Sequence, residues 1–534
     1  MHVRWLSIPL PRRRRALHGL PVTVSRRVAL GGAGVAAVAA LSDAVRGTGI
    51  AAGAPSHDGE SLFNVKDFGG KGDGSTDDTP ALQAAIDAAI AAGGGQVLIP
   101  TGQFRLTHAI TLGDGVDLVG LGSTSVLKPG FPSPLNRVIK NDWINGNKNL
   151  SLRNFKLDRS GANVQHGILL NGVDNLLIDG LEVSGTPSER SGCISVSGVG
   201  QNLRLISRNV RVVNCVFADT ANFGMHLGYV DGGLMANNTA LNADREVFGV
   251  EPDPGVSATN VVISGNTILG TTSVNGSSTG LIIITTTSGG TVDGVTVTGN
   301  VMRQPSPSDT SNPGISVLGA TSVTVTGNTV YDMDGPGIMV SDTTGVLIAG
   351  NTVNNCARSG GLPGLRLSNA NHCSVTGNYV SGAGHTYSVG EDSGAANNLI
   401  GANFLRDAVP MGPVGPGTVV LGNKSNDGDS ALVIGSAYAM NRRAVSASHN
   451  VGPSDYLIAV TDTTTAPSIS LPPASPAIAG TVYVVKDESG GAGFNNVTVK
   501  GAGSDTIDGA ASITIDTNYG AVRLYCTGTG WAVF

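Results

Sequence analysis

A carboxylate pair and an imidazole are the residues of this chain best suited to acid–base chemistry. Glu251 and Asp253 stand two residues apart, and His226 precedes them in the sequence. Side chains at positions i and i+2 of a strand lie on the same face, about 6.6 Å apart. That separation is near the lower edge of the range in which one carboxyl group protonates a glycosidic oxygen while the other activates water. The spacing predicts Glu251 as the acid and Asp253 as the base, with these two roles interchangeable, and His226 as the group that tunes or orients them.

Polar residues flank this group, and Pro252 interrupts it. Four neighbours are expected to contact a substrate: Asp244, Arg245, Glu246 and Tyr229. A proline inside a central strand removes a ladder hydrogen bond, so Pro252 breaks a local rule beside the carboxylates. Such a violation favours a functional site over charges that only solvate a turn. The sequence shows no cluster at metal-ligand spacing, so no metal site is predicted.

A short phrase containing Gly-Asn recurs and indicates the elements that must position these residues. It occurs at Ile263–Asn266, Val297–Asn300, Val325–Asn328, Ile348–Asn351 and Val375–Asn378. A β-rich unit of this length cannot bury its own apolar face and must stack on copies of itself. The repeat therefore predicts a β-solenoid.

Each repeat also contains a strand that follows a glycine, and this strand predicts one outward face. The first and third residues after the glycine are apolar and should point to the core, so the second should point outward. This outward column reads Leu169, Ile194, His226, Glu251, Ile282, Ser316, Met339 and Arg366. The alignment predicts His226 beside Glu251 on neighbouring coils, about 4.8 Å apart. The apolar members of the column suggest a subunit contact, and a homotrimer is left open.

The N-terminal part of the repeat region carries a family resemblance. The motifs are Phe63–Gly69, Gly72–Asp78, Gly93–Pro100 and Gly102–Leu106. Together they resemble the first segment of the pectate-lyase-like superfamily of right-handed parallel β-helices, which includes polysaccharide lyases, glycoside hydrolases, uronan epimerases and phage tailspikes. The resemblance implies an all-β fold: a right-handed parallel β-helix capped by an N-terminal helix, plus a small C-terminal β domain.

The predicted cap has its own sequence signals. Asp77 and Asp78 can cap a helix whose first turn takes a proline. Leu82, Ile86 and Ile90 then form an apolar stripe that can cover the open end of the solenoid.

A second resemblance concerns the reaction. The segment Phe248–Asp253 resembles the Tyr-Gly-Phe-Asp-Pro-His motif of mannuronan epimerases, whose tyrosine, aspartate and histidine carry the chemistry. Phe248, Glu251 and Asp253 occupy those three positions here, so only carboxylates remain. We therefore expect a secreted enzyme that hydrolyses a polysaccharide. The alternatives are a lyase that acts on a uronic acid glycan with His226 as base, and a tailspike-like adhesin without catalysis. No cofactor is expected, although calcium would suit a lyase.

The first residues of the chain predict export. Ser25–Leu30 contains Arg26-Arg27 and precedes an apolar run, and it resembles a twin-arginine signal. Cleavage is expected between about residues 44 and 54, which would leave a secreted protein without a membrane anchor. A formal net charge of −6 argues against a broad nucleic-acid surface.

These signals give four predicted parts: a signal and leader over 1–54, a catalytic β-helix over 62–409, a linker or terminator over 410–450, and a small β module over 451–534. The last part resembles modules at the ends of phage tail fibres. The five cysteines are expected to be buried and unpaired, since their number is odd and their spacing fits no metal site. His166, His372 and His385 are expected to be structural or surface residues.

Overall fold

The chain folds as a long parallel β-helix followed by a small β module. The computed structural model describes residues 61–131, 135–162, 164–185, 192–197, 205–219, 223–242, 246–269, 280–286, 289–304, 312–407, 409–425, 442–452 and 455–534. The predicted signal and leader over 1–54 lie outside the described residues. Within the described ranges, every strand pairing up to Leu421 is parallel, as a solenoid requires. The predicted β-helix is therefore confirmed.

The larger sheet, sheet 1, contains 25 strands among the described residues. Its strands are Leu62–Asn64, Asp73–Asp77, Gly95–Ile99, Gly102–Leu106, Val116–Pro129, Asn147–Asp158, Val173–Asp179, Glu182–Ser184, Ser207–Val213, Val216–Ala218, Val230–Ala236, Thr239–Leu241, Ser257–Ser264, Thr267–Leu269, Thr291–Thr298, Val301–Arg303, Thr321–Thr326, Thr329–Tyr331, Leu347–Ala349, Thr352–Asn354, Ser374–Thr376, Tyr379–Ser381, Leu399–Gly401, Phe404–Leu405 and Val419–Leu421. The last of these pairs with Leu399–Gly401, so stacking continues beyond the predicted boundary at residue 409.

Sheet 2 has eleven strands among the described residues and carries the predicted functional face. In chain order they are β1 (Ile110–Leu112), β2 (Leu135–Asn141), β3 (Val164–Leu170), β4 (Gly192–Val196), β5 (Met225–Leu227), β6 (Phe248–Val250), β7 (Ile282–Thr285), β8 (Ile315–Leu318), β9 (Ile338–Thr344), β10 (Leu365–Asn371) and β11 (Val389–Glu391). Each strand pairs with the strand of the next coil, so sheet 2 runs along the helix axis.

The recurring Gly-Asn phrase forms a buried ladder at one corner of the coil. Oδ1 of Asn328 accepts hydrogen bonds from the backbone nitrogen (3.0 Å) and Nδ2 (2.9 Å) of Asn300. Nδ2 of Asn328 donates to the carbonyl oxygen of Val297 (2.9 Å) and to Oδ1 of Asn351 (3.0 Å). The same pattern links Asn238, Asn266, Asn300, Asn328, Asn351, Asn378, Asn403 and Asn423. The preceding glycine turns the chain at this corner, with φ of 64° at Gly327, a left-handed value that favours glycine.

A helix covers the N-terminal coil, as predicted. It is α1, Thr79–Ala91, and a 3-10 turn at Val65–Phe68 precedes it. Asp77 accepts from the backbone nitrogen and hydroxyl of Thr79, whereas Asp78 accepts from the nitrogens of Lys71 and Gly72 in the preceding loop. Leu82 and Ile86 are fully buried.

The C-terminal module has its own core and two sheets. Sheet 3 contains Arg442–Val445, Leu457–Val460, Val482–Asp487, Ala521–Cys526 and Trp531–Val533, and sheet 4 contains His449–Asn450, Ser468–Ser470, Val497–Lys500 and Ser512–Ile515. A 3-10 turn spans Pro476–Ile478. Tyr483 packs on the buried Trp531, with ring centres 5.5 Å apart. The module thus begins before the predicted residue 451.

All five cysteines are buried and form no disulfide, as predicted: Cys193, Cys215, Cys356, Cys373 and Cys526. Burial raises the pKa of the Cys215 and Cys356 thiols to about 12. These thiols therefore remain protonated at neutral pH and serve as core residues.

Candidate functional site

The outward column of sheet 2 differs from the predicted one in three coils. His226 of β5 lies between Ser195 of β4 and Gly249 of β6, so the predicted pairing of His226 with Glu251 is wrong. The observed column is Leu169, Ser195, His226, Gly249, Ile283, Ser316, Met339 and Arg366. Alignment on glycines caused the error. The position before the first inward residue is glycine at 167 and 224, but it is Cys193, Val247 and Leu281 in the three misaligned coils.

The predicted apolar ridge is not exposed. A shift of one residue moves a strand side chain to the opposite face, and Ile194 and Ile282 accordingly lie in the core with no exposed surface. Leu169 does face outward but is only 2% exposed. The homotrimer prediction therefore loses three of the apolar residues on which it rested, while Met339 stays half-buried on the outward face.

Glu251 lies on the outward side, two residues beyond Gly249, and it meets the imidazole through its backbone carbonyl oxygen. Strand β6 ends at Val250, and the backbone nitrogen of Glu251 donates to the carbonyl oxygen of Leu227 (3.0 Å). Pro252 follows the strand end and so displaces no central ladder bond. Asp253 is exposed in a turn, where its carbonyl oxygen accepts from Val256 (3.2 Å). The separation expected for i and i+2 on a strand therefore does not apply to this pair.

The imidazole of His226 is held by hydrogen bonds at both nitrogens. Nε2 lies 3.0 Å from the carbonyl oxygen of Glu251, and Nδ1 lies 3.3 Å from the hydroxyl of Ser195. A carbonyl oxygen can only accept, so Nε2 carries the proton and Nδ1 holds the free electron pair. The ring of Phe223 packs against the imidazole, with centres 5.3 Å apart.

Burial sets the charge of this imidazole. Desolvation lowers the pKa of His226 below its ordinary value, and the nearby charges of Glu251 and Asp253 oppose that shift only in part. His226 is thus a neutral base at neutral pH. The geometry brings a base and a carboxylate residue together on one face, which acid–base catalysis requires.

Of the four residues predicted to bind substrate, the structure describes two, Glu246 and Tyr229. Glu246 is half-buried just before β6, where its carbonyl oxygen accepts from Gly224 (3.3 Å). Tyr229 is half-buried at the corner after β5, and no hydrogen bond joins its side chain to His226 within the described ranges. Asp244 and Arg245 lie outside the described residues. The catalytic and substrate-binding roles of all seven residues stay predictions.

Ser195, Phe223 and Gly249 contact or adjoin the imidazole and were missed from the sequence. Ser195 and Gly249 are the strand partners of His226. A Cβ atom at Gly249 would lie 3.5 Å from the imidazole of His226, so the glycine leaves that side of the ring without a neighbouring side chain. An alignment on the inward residues Met225 and Phe248 would have found both Ser195 and Gly249.

A second group, at the far end of sheet 2, has the composition of a hydrolase triad but not its geometry. Nδ1 of His385 and the hydroxyl of Ser388 both bond Asp407, at 2.7 and 2.6 Å. Nε2 of His385 accepts from the backbone nitrogen of Cys356 (3.0 Å), so it cannot activate the serine. The cluster is buried and joins the last coils, which fits the structural role predicted for His385.

Two further results concern the described part of the chain only. No group of three His, Cys, Asp or Glu side chains there is placed to hold a metal ion. Nor does that part contain a helix long and apolar enough to cross a membrane.

Comparisons with known proteins place this architecture in a family. Residues 62–274 match the profile described as rhamnogalacturonase A/epimerase, pectate lyase-like, and residues 269–426 match that of the right-handed β-helix region. The first part of the β-helix thus matches the pectate-lyase-like model, and the part that follows matches the model of the right-handed β-helix region.

Individual curated proteins match part of this chain. Mannuronan C5-epimerase AlgE3 of Azotobacter vinelandii is 32% identical over 218 residues, which are 39% of this chain and 12% of that protein. Alginate lyase 7 of the same organism is 29% identical over 35% of this chain and 23% of its own length. The match thus spans a minor part of these relatives.

Solved structures support the fold. The A-module of mannuronan C-5 epimerase AlgE6 from Azotobacter vinelandii has a TM-score of 0.56 at 23% identity, over 68% of this chain and 98% of that one. Bacteriophage phi29 gene product 12 has a TM-score of 0.52 at 16% identity, over 76% of this chain and 63% of its own.

Proposed function

We propose that this chain is an enzyme that modifies an acidic polysaccharide bound along the outward face of sheet 2, with His226 as the catalytic base. The observation that carries the proposal is the state of the imidazole: Nε2 donates to the Glu251 carbonyl oxygen, burial lowers the pKa, and Nδ1 keeps its electron pair at neutral pH. The curated relatives named above are an epimerase of mannuronan and a lyase of alginate, both polymers of uronic acids.

Proton abstraction from a uronic acid fits this site. Nδ1 of His226 would take the proton from C5, and the electron pair of that C–H bond would form a C4–C5 double bond as the C4–O bond to the next sugar breaks. The imidazolium would then return the proton to the leaving oxygen. A base whose pKa lies below neutrality is present in its active form at neutral pH.

Hydrolysis by Glu251 and Asp253 is the second candidate. The charges of both carboxylates raise the pKa of His226, which supports a role for them near the imidazole. However, Asp253 stands in an exposed turn after the strand end, and the strand spacing that favoured an inverting pair is lost. We therefore rank proton abstraction first.

Activity on a panel of polysaccharides tests the proposal. Alginate, polygalacturonate and a neutral glucan are each incubated with the protein, and absorbance of unsaturated uronates and new reducing ends are measured together. Elimination produces both signals, whereas hydrolysis produces reducing ends alone. Epimerisation produces neither, and it is followed as a change in the uronate composition by NMR. A protein that binds polysaccharide without any of these changes is an adhesin, and that result would refute the proposal.

Substitutions test whether His226 is the catalytic base. His226→Asn should lower turnover about a hundredfold to ten-thousandfold, the range for loss of a general base. His372→Asn is the matched control, because His372 lies outside sheet 2 with φ of 54°, a conformation that asparagine accepts. For the wild type, kcat/KM should rise with pH below about 6.5 and then level off, since protonation blocks Nδ1. Full turnover in His226→Asn, or loss only in Glu251→Gln and Asp253→Asn, would favour the hydrolase.

A further inference from the structure

A cation stacked on an aromatic ring lies at β2, three strands before His226 in the order of sheet 2. The guanidinium carbon of Arg137 in β2 is 3.7 Å from the centre of the Trp143 ring. Trp143 follows the end of β2 in a turn that Asp142 stabilises by accepting from the backbone nitrogen of Ile144 (2.9 Å). Nδ2 of Asn171 also donates to the carbonyl oxygen of Trp143 (3.2 Å). These two hydrogen bonds hold the turn that carries Trp143.

The charge of Arg137 has no carboxylate partner in the part of the chain that the structure describes. Neither Arg137 nor Lys140, which lies three residues further along β2, forms an ion pair with a carboxylate in the described ranges. Stacking occupies the face of a guanidinium and leaves its in-plane N–H donors available for a carboxylate. Lys140 faces outward in register with Leu169, so β2 also carries a positive charge on the outward face.

Two buried nitrogens beside this stack lack partners. Nε1 of Trp143 and Nδ1 of His166 are both shielded from solvent, and neither has a hydrogen-bond partner among the described residues. His166 is the strand neighbour of Arg137, so the two side chains lie about 4.8 Å apart along the axis. Buried polar nitrogens are paired in nearly all proteins, so two exceptions at one place require an explanation.

We propose that Arg137, Trp143 and His166 form a binding subsite for a carboxylate-bearing sugar of the polymer, separate from the catalytic position at His226. Arg137 would bind the carboxylate, and the two unpartnered nitrogens would bond sugar oxygens. The subsite rests on the proposed function for the identity of its ligand, but its residues take no part in proton transfer.

The position of the subsite predicts its effect. Strands β2 and β5 are three steps apart, so Arg137 and His226 are separated by about 14 Å along the axis. The polymer would therefore run across the strands of sheet 2, and only longer oligomers would reach both places. The subsite should strengthen binding of long chains and leave the chemical step unchanged.

The test uses size-fractionated alginate oligomers and three variants. Arg137→Ala removes the charge, Arg137→Lys keeps the charge without the planar fork, and Trp143→Phe keeps the ring without Nε1–H. Arg303→Ala is the matched control, because Arg303 lies over the Tyr331 ring (5.3 Å) on sheet 1. Thermal unfolding of each variant confirms that it is folded.

For long oligomers, Arg137→Ala should raise KM about tenfold or more with kcat unchanged, which is the loss expected for one charged hydrogen bond. KM for the shortest substrate should not change, and Trp143→Phe and Arg137→Lys should give smaller increases. An equal effect at every length, or no effect, would overturn the subsite.

Direct binding separates this inference from the proposed function. Mobility of the wild type and of Arg137→Ala is measured in gels that contain alginate or a neutral glucan. If the wild type is retarded by alginate without turning it over, and Arg137→Ala is not retarded, the subsite stands and the proposed chemistry fails. If alginate retards neither protein, the subsite fails whatever the activity.

Discussion

The buried asparagine ladder predicts a large and specific loss of stability from one substitution. In Asn328→Ala, the backbone nitrogen of Asn300 loses its acceptor and the carbonyl oxygen of Val297 loses a donor. Asn351 is less affected, since its Oδ1 still accepts from the backbone nitrogen at position 328. A buried polar group left without a partner costs about 1–3 kcal/mol. Two such groups predict a decrease of about 2–6 kcal/mol in the free energy of unfolding.

A guanidinium chloride titration followed by circular dichroism measures this change. Asn354→Ala is the control, since Asn354 is exposed and its side chain, among the described residues, bonds only Ser381 (2.7 Å). Loss of such a surface bond should change stability by less than about 0.5 kcal/mol. If the two alanine variants unfold at the same denaturant concentration, the ladder does not stabilise the coil as argued.

The isosteric variant Asn328→Asp adds a pH signature. It replaces Nδ2 by an oxygen that faces the carbonyl of Val297 and Oδ1 of Asn351, both acceptors. This repulsion and burial raise the pKa of the new carboxyl above its unfolded value of about 3.9. The folded state then binds more protons than the unfolded state above that pH, so stability falls as pH rises, by about 1.4 kcal/mol per unit until the folded pKa is reached. A pH-independent deficit would contradict the argument.

Two further predictions concern titratable groups elsewhere in the β-helix. Burial, together with the positive charges of neighbouring side chains, lowers the pKa of His166 from 6.5 to about 4. Between these two pH values the unfolded chain binds more protons than the folded one. The free energy of unfolding should therefore fall by about 3 kcal/mol as the pH drops from 6.5 to 4. His166→Asn should remove that acid dependence in unfolding titrations, and an unchanged profile would show that His166 is not the group responsible. Asp407→Ala should destabilise the fold by about 3 kcal/mol or more because it orphans His385 and Ser388, with full activity per folded molecule. Asp392→Ala, which breaks a partly exposed pair with Arg366, should have a smaller effect. Equal melting temperatures for the two variants would refute the structural role of Asp407.

The architecture could be predicted from the sequence because the corner of the coil leaves a strong local signature. Glycine supplies the left-handed turn, and asparagine can bond the coils above and below it at once, so both residue types recur at the same place. The order of inward and outward residues was predictable in coils where glycine precedes the strand, as at Gly224 and Gly337.

The site was less predictable because a solenoid tolerates changes in coil length and corner residue. Cys193, Val247 and Leu281 replace the corner glycine, and a one-residue shift reverses the face of Ile194 and Ile282. The prediction put Glu251 in the column where the structure has Gly249, and an error of two residues leaves a side chain on the same face. Arg137 and Trp143 were missed because a cation stacked on a ring has no spacing signature when a turn joins the two residues.

The asparagine ladder also bears on how such proteins change length during evolution. Each rung meets the same chemical group on both sides, so the corner does not depend on how many coils precede or follow it. Duplication of the segment between two equivalent asparagines would insert a coil without requiring a new interface. Each inserted coil would lengthen the outward face by about 4.8 Å, so gene duplication can extend that face while the surroundings of His226 stay as they are.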